Sequence, residues 1–154
     1  MTDEAALAGR IVAGRHLLNV RVYYEDTDFS GFVYHANYLK FCERGRSDFL
    51  RVLGIHHSDL IARPDRLAFV VRRMGCEFLA PARIDDLLTV ETRPGEIAGA
   101  RMELIQRIRR GETVLFEARV LIVVVAGDGR PRRLPEDVRK RLESALDKAS
   151  GPPL

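Results

Sequence analysis

Apolar and polar positions repeat with two different periods along this chain, and the switches between them mark out its elements. From His16 to Glu25 (HLLNVRVYYE) they alternate, with Leu18, Val20, Val22 and Tyr24 on one face and Asn19, Arg21 and Tyr23 on the other, as in a half-buried strand. The polar segment Asp26–Gly31 (DTDFSG) breaks that pattern with turn-forming residues. From Ala36 to Leu53 the period becomes helical: Leu39, Cys42, Phe49, Leu50 and Leu53 recur on one side, and Gly54 stands where a C′ glycine closes a helix. This is the core helix. Gly45 inside it costs about 1 kcal/mol relative to alanine, which implies close backbone packing at that turn.

After a short connection (Ile55–Arg66), strand-like text dominates. Leu67–Ala80 reads as a long strand stopped by Pro81, and Leu87–Arg93 as another, ended by Pro94-Gly95. Arg101–Arg109 sets Met102, Leu104, Gln106 and Ile108 against Arg101, Glu103, Ile105 and Arg107. Gly111 makes a turn, Thr113–Val125 is the last strand, and Asp128-Gly129 turns the chain again. Pro135 then opens a final helix with Val138, Leu142, Ala145, Leu146 and Ala149 on one side. Lys148 sits near its end, where a cation complements the helix dipole. The order strand, helix, four strands, helix predicts an α+β domain in which a five-stranded antiparallel sheet packs on one buried helix. Residues 1–15 lack periodicity and are expected to be a flexible tail. The domain is expected over 16–149, followed by a C-terminal tail at 150–154.

Composition narrows the picture. The 154 residues are one domain's worth of chain. The longest apolar run, Val120–Ala126, is far short of the ~20 residues of a transmembrane helix, and no secretory leader pattern opens the sequence. Two cysteines, Cys42 and Cys76, suit neither a disulfide framework nor a metal knuckle, so a reducing, cytoplasmic setting and no metal are expected. The net charge, 25 − 22 = +3, does not announce a nucleic-acid binder. Only Lys40, Lys140 and Lys148 are lysines, which leaves 25 − 3 = 22 arginines. Arginine suits phosphate, although solvated surface is the simpler account.

Chemistry concentrates in Tyr23–Arg46 (YYEDTDFSGFVYHANYLKFCERGR), between the first strand and the core helix. Asp26 and Asp28 bracket Thr27, Gly31 allows unusual backbone angles, and His35, Ala36 and Asn37 stand at the helix start. A helix N-terminus offers free N–H groups and a partial positive charge. A carboxylate opposite it supplies both halves of an acyl-transfer site, with donors for the oxyanion and a base or nucleophile on the other side. The plainer alternative is that Asp28 turns the loop while His35 or Asn37 caps the helix. Elsewhere, His56-His57 reads as surface, Cys42 as core, Asp85-Asp86 as a turn, and Arg107–Arg110 and Arg130–Arg133 as solvated strand ends.

The same segment resembles the acyl-CoA thioesterases of the 4-hydroxybenzoyl-CoA thioesterase type, particularly the Tol–Pal-associated branch. Tyr24, Asp28, Gly31, Val33, His35, Tyr38, Glu43 and Arg46 all fall at the family's spacing, and the likeness continues through Phe69–Thr92 to about Val125. It implies a hotdog fold, a curved sheet wrapped around the central helix, and hydrolysis of acyl-CoA without a cofactor, coenzyme A being part of the substrate. It makes Asp28 catalytic as base or nucleophile, with the backbone N–H at His35 polarising the carbonyl and added weight on the His35 side chain and on Tyr24. The basic run that grips nucleotide phosphates in the benzoyl branch is here Ile97-Ala98-Gly99-Ala100, so Arg72, Arg73 and Arg101 are the substituted candidates. The aromatic residue before the helix is Tyr34. The resemblance also implies a dimer or tetramer with the site at the subunit boundary. That agrees with two apolar surfaces that ask for cover: the end of the last strand, apolar on both faces after Arg119, and the stripe on the final helix. An acyl carrier protein is an alternative thioester carrier, and a non-catalytic acyl-CoA or acyl-carrier-protein binding module is the alternative function. A hotdog dehydratase would need a different His/Asp arrangement where this helix carries Leu39, Lys40 and Phe41. A DNA-binding regulator would need a segment for which the tail leaves no room.

Overall fold

The structure, a computed structural model, describes residues 3–147. Lys148, Ala149 and the expected 150–154 tail lie outside the described residues, as does the side chain of Leu146. In chain order the elements are α1 (Asp3–Leu7), β1 (Arg10–Val12), β2 (Arg15–Arg21), a 3₁₀ turn (Tyr24–Asp26), α2 (His35–Val52), α3 (His57–Ile61), β3 (Ala68–Phe78), β4 (Leu87–Ala98), β5 (Arg101–Arg110), β6 (Thr113–Val125) and α4 (Glu136–Asp147). The sheet is antiparallel in the order β1-β2-β4-β5-β6-β3.

The alternation in β5 sets the face that α2 covers. Met102, Leu104, Gln106 and Ile108 are buried, and their row continues through Leu88 and Val90 of β4 and Phe116 and Val120 of β6. Phe41, Cys42 and Phe49 of α2 fill the space above them. Each such side chain contributes roughly 1.5–3 kcal/mol of burial, so the helix is held along most of its length. Leu53 ends α2, and Gly54 follows at φ +81°, the left-handed conformation a C′ glycine supplies.

Closest approach falls at Gly45. A Cβ built there would lie 2.7 Å from Val90 Cγ1 and 3.1 Å from Thr92 Oγ1, so the helix can sit this low only without a side chain. A buried polar knot fixes the same level. Gln106 Nε2 donates to the Cys42 carbonyl and to Thr92 Oγ1, both at 2.9 Å, while its Oε1 accepts from Arg46. One turn further along, fully buried His16 lies 2.6 Å from Asp48 Oδ2, which also accepts from Gly9 N–H. Burial lowers the His16 pKa more than Asp48 raises it, so the imidazole stays neutral at ordinary pH.

Four expectations change. The sheet has six strands rather than five, because Arg10–Val12 of the expected tail pairs with β2 as a short edge strand. Strand β4 runs on through Pro94-Gly95; the ladder shifts register between Pro94 and Ile97, and a bulge tolerates a proline that cannot donate. Strand β2 stops at Arg21, so Tyr24 belongs to the 3₁₀ turn and not to the strand's apolar face. Of the two apolar surfaces expected to need a partner, the described parts find cover within the chain. Val138, Leu142 and Ala145 of α4 join the core, and the return segment 126–134 bonds back to Val124 and Gly99 while Leu134 packs inward. What stays open is β3, an edge strand with Val70 42% and Val71 49% exposed.

Gly45→Ala should therefore destabilise the protein although alanine is the better helix former. Overpacking costs about 1–3 kcal/mol against about 1 kcal/mol of propensity gained. A lowered midpoint in urea unfolding is the expected reading, and an unchanged or raised midpoint would show that the helix can lift without penalty.

Candidate active site

The two aspartates of the D-T-D segment have opposite environments. Asp26 is buried beneath the loop: Oδ2 accepts from Tyr23 N–H at 2.8 Å, Oδ1 from Asn37 Nδ2 at 2.9 Å, and its carbonyl from Tyr34 N–H. It ties the loop to the first turn of α2. Asp28 is exposed on the turn that follows. Its N–H bonds to the Phe32 carbonyl, its own carbonyl accepts from Gly31 N–H, and Gly31 takes φ +85° to close that turn. Phe29 at the tip is fully exposed.

Asp28 Oδ1 accepts from the Ser30 N–H at 2.8 Å and from the Ser30 hydroxyl. The hydroxyl contributes most, then the N–H; against a small desolvation effect and with help from His35, they hold the Asp28 carboxyl below the usual carboxylate range. It is ionised at neutral pH.

Facing it is a helix start without a cap. Tyr34 occupies the N-cap position with no side-chain hydrogen bond, and no acidic residue stands in the first turn. Ser, Thr, Asp or Asn is the usual cap and an acid the usual first-turn residue, because both satisfy or neutralise the free N–H groups. Here neither His35 nor Asn37 caps the helix; Asn37 turns to Asp26 instead. The dipole is left open to a ligand.

Asp28 and His35 line one cleft of about 380 Å³ with Ser30, Tyr38, Phe78 and Pro81. Its apolar wall is an aromatic stack: Tyr38 lies parallel to Phe116 at 5.4 Å, and Phe78 meets both edge-on. The Tyr38 hydroxyl accepts from Ala82 N–H at 2.9 Å, and burial raises its pKa. Tyr24 does not line this cleft and is 83% exposed. Arg72 and Arg73 lie midway along β3 at its bulge, and Arg101 begins β5, at the opposite end from Arg110. The guanidinium groups nearer the site are Arg110, bonded to Asp86 and the Pro81 carbonyl, and Arg83, 4.9 Å over the Phe32 ring. Asp86 is the C-terminal half of the expected turn pair, and His56 and His57 are exposed as expected. Cys42 is core, its thiol pushed up to about 12 by burial. A larger groove of about 630 Å³ crosses the sheet among Arg15, Arg93, Arg107 and Arg119, away from Asp28. Among the described residues no helix is long and apolar enough to cross a membrane.

Sequence reasoning missed Asp26, Asn37 and Ser30 as individual contributors. The D-x-D spacing and the absence of a Ser, Thr or Asp cap before His35 are the signals that could have found them.

Solved structures share this arrangement of sheet and helix. A probable thioesterase from Bartonella henselae superposes with TM-score 0.76 at 49% identity, covering 79% of this chain and 99% of its own. A 1,4-dihydroxy-2-naphthoyl-CoA thioesterase from Synechocystis shares the fold with TM-score 0.79, covering 86% and 98% at 24% identity. The fold is thus the hotdog fold of these thioesterases. Residues 30–117 match the model of the thioesterase superfamily, and the chain belongs to that family. It is similar to the acyl-CoA thioester hydrolase YbgC of Escherichia coli, 46% identical over 77% of this chain and 89% of the relative. The acyl-CoA thioesterase YbgC of Haemophilus influenzae is 42% identical over 78% and 88%.

Replacing Asn37 by Asp should set two carboxylates against each other beneath the loop and place an acid in the open first turn. Losing the buried charge-assisted bond costs about 1.5–3 kcal/mol, and more with like-charge repulsion. A clearly lower thermal midpoint, with activity falling alongside it, is expected. An unchanged midpoint would mean that Asp26 does not hold the helix start.

Proposed function

We propose that the protein hydrolyses acyl-CoA thioesters to the free acid and coenzyme A, with Asp28 as general base or nucleophile. The observation that carries this reading is the ionised, exposed carboxylate of Asp28 sharing a cleft with an uncapped helix N-terminus. The thioester carbonyl lies toward the first turn of α2, where the N–H of His35 polarises it and the helix dipole stabilises the oxyanion as it forms. Asp28 approaches from the other side. As nucleophile its oxygen adds to the carbonyl carbon and expels the thiolate of coenzyme A, leaving an anhydride that water opens. As base it takes the proton of an attacking water, and the same thiolate leaves. The His35 imidazole orients Asp28 or the thioester, Tyr24 has a lesser, supporting role from outside the cleft, and no cofactor is required. An acyl carrier protein thioester is the alternative substrate.

The working form is a dimer, or a tetramer built from dimers, in a cytoplasmic setting. Support comes from β3, whose outer edge carries unpaired backbone groups beside exposed Val70 and Val71, an association hazard unless it is paired. A second copy lying antiparallel along this edge brings the two protomers' Phe78 ends and Asp28 turns toward the shared boundary. Arg72 and Arg73, central on β3, are then placed to meet the phosphates of coenzyme A from either copy, and Arg101 is the third candidate.

Asp28→Asn keeps the shape and loses the charge. Thiol release from an acyl-CoA panel should fall about 10²–10⁴-fold. His35→Ala, which retains the backbone N–H, should lose less, and Tyr24→Phe less again. Retention of more than about a tenth of wild-type kcat/KM by Asp28→Asn would defeat the assignment. Light scattering should find a dimer or larger species, and an active 17.4 kDa monomer would refute the assembly.

A further inference from the structure

We infer that Ser30 is a positioning residue for hydrolysis: its hydroxyl and N–H together clamp Asp28 Oδ1, so that Oδ2 alone is presented to the reacting centre. The inference rests on the catalytic reading of Asp28. Both donors converge on one carboxylate oxygen from two residues away in the chain, within the cleft that Asp28, Ser30 and His35 share. An exposed carboxylate with no such clamp swings freely about its last torsion, which is broad for an sp³–sp² bond. Each swing exchanges the two oxygens and tilts the carboxylate plane away from an attacking geometry that tolerates little error.

The Ser30 hydroxyl is itself tethered. It accepts from Phe32 N–H at 3.2 Å, which leaves its own proton for Asp28. Hydroxyl, carboxylate and backbone therefore form a short relay: Phe32 N–H to Ser30 Oγ, then Ser30 O–H to Asp28 Oδ1. Asp28 Oδ2 takes no hydrogen bond from another residue described in the structure. Its lone pairs are the ones available to water or to the thioester carbon. A clamped oxygen is the less basic of the two, so the arrangement fixes which atom reacts as well as where it points. The other side chain bearing on the carboxylate is the His35 imidazole from α2, and the Tyr38 phenol lines the same cleft. The Arg83 guanidinium lies over the Phe32 ring. Ser30→Ala leaves these three in place.

The test compares wild type, Ser30→Ala and Ser30→Thr by two readouts. One is the pH profile of kcat/KM with an acyl-CoA substrate. The other is the titration of the Asp28 carboxyl carbon by NMR in the free protein, which needs no turnover. Removing the hydroxyl takes away a hydrogen bond that favours the charged form, so the Asp28 titration should move up by about half a pH unit or more in Ser30→Ala. The acid limb of kcat/KM should move up with it, and the plateau should fall about threefold to tenfold through kcat rather than KM. Ser30→Thr, which keeps the hydroxyl, should restore both. An Asp28 titration that does not move overturns the clamp. A titration that moves while the acid limb and plateau stay put overturns its role in hydrolysis. Asp28→Asn in the same assay reports separately on the underlying reading: full activity there removes the catalytic role of Asp28, whereas loss there with an unmoved Ser30→Ala profile removes only Ser30.

Discussion

Everything in this molecule hangs from the depth at which α2 sits in the sheet. At Gly45 the helix backbone lies so near Val90 and Thr92 that even a methyl group has no room. The depth of the helix is therefore set by direct contact between its backbone and the buried side chains of Val90, Thr92 and Gln106 on the strands. Gln106 fixes the rotation at the same level by holding the Cys42 carbonyl, and Asp48 pins the far end through buried His16. Since α2 cannot rise, slide or turn cheaply, its N-terminus is a fixed point in space. A catalytic arrangement that uses backbone N–H groups needs that rigidity, because the donors have no side-chain freedom with which to correct an error.

Given a fixed helix start, the loop before it divides its work between two aspartates. Asp26 is buried and fully engaged with Tyr23 and Asn37, so its charge is spent on holding the loop against the helix. Asp28, two residues on, stands outside with one oxygen held by Ser30 and the other free. Identical side chains thus differ in role through burial and partners alone. The absent cap at Tyr34 belongs with this division: satisfying those N–H groups internally would stabilise the helix and, on the proposed reading, remove the donors that receive the thioester oxygen. Stability is forgone at the position where the ligand's oxygen is expected to supply the missing acceptor.

The legible part of the sequence was the part governed by local period. In β5 the alternation of Met102, Leu104, Gln106 and Ile108 matches the buried face residue for residue, and β6 spans the predicted Thr113–Val125. Gly45 and Gly54 carried their meaning in place, one through steric closeness and the other through positive φ. The misreadings came where tertiary contacts override local text. Arg10–Val12 has no period of its own and becomes a strand only because β2 offers a free edge. Pro94-Gly95 looks like a stop and becomes a bulge because β5 continues to pair beyond it. Asp28 and His35 line one cleft, whereas Tyr24 turns to solvent once β2 ends early. The partnership of Asp26 with Asn37 spans eleven residues across a loop, beyond the reach of any periodicity.

The central claim is that the thioester carbonyl is received by the open N-terminus of α2 while Asp28 stands on its other face. A crystal structure with a non-hydrolysable thioether or ketone analogue of acyl-CoA tests it most directly. The account predicts the analogue's carbonyl oxygen about 2.7–3.1 Å from a first-turn N–H of α2, with Asp28 Oδ2 toward the carbonyl carbon or toward a water beside it. An analogue bound with its carbonyl turned away from the helix start, or seated in the groove among Arg15, Arg93, Arg107 and Arg119, would contradict it.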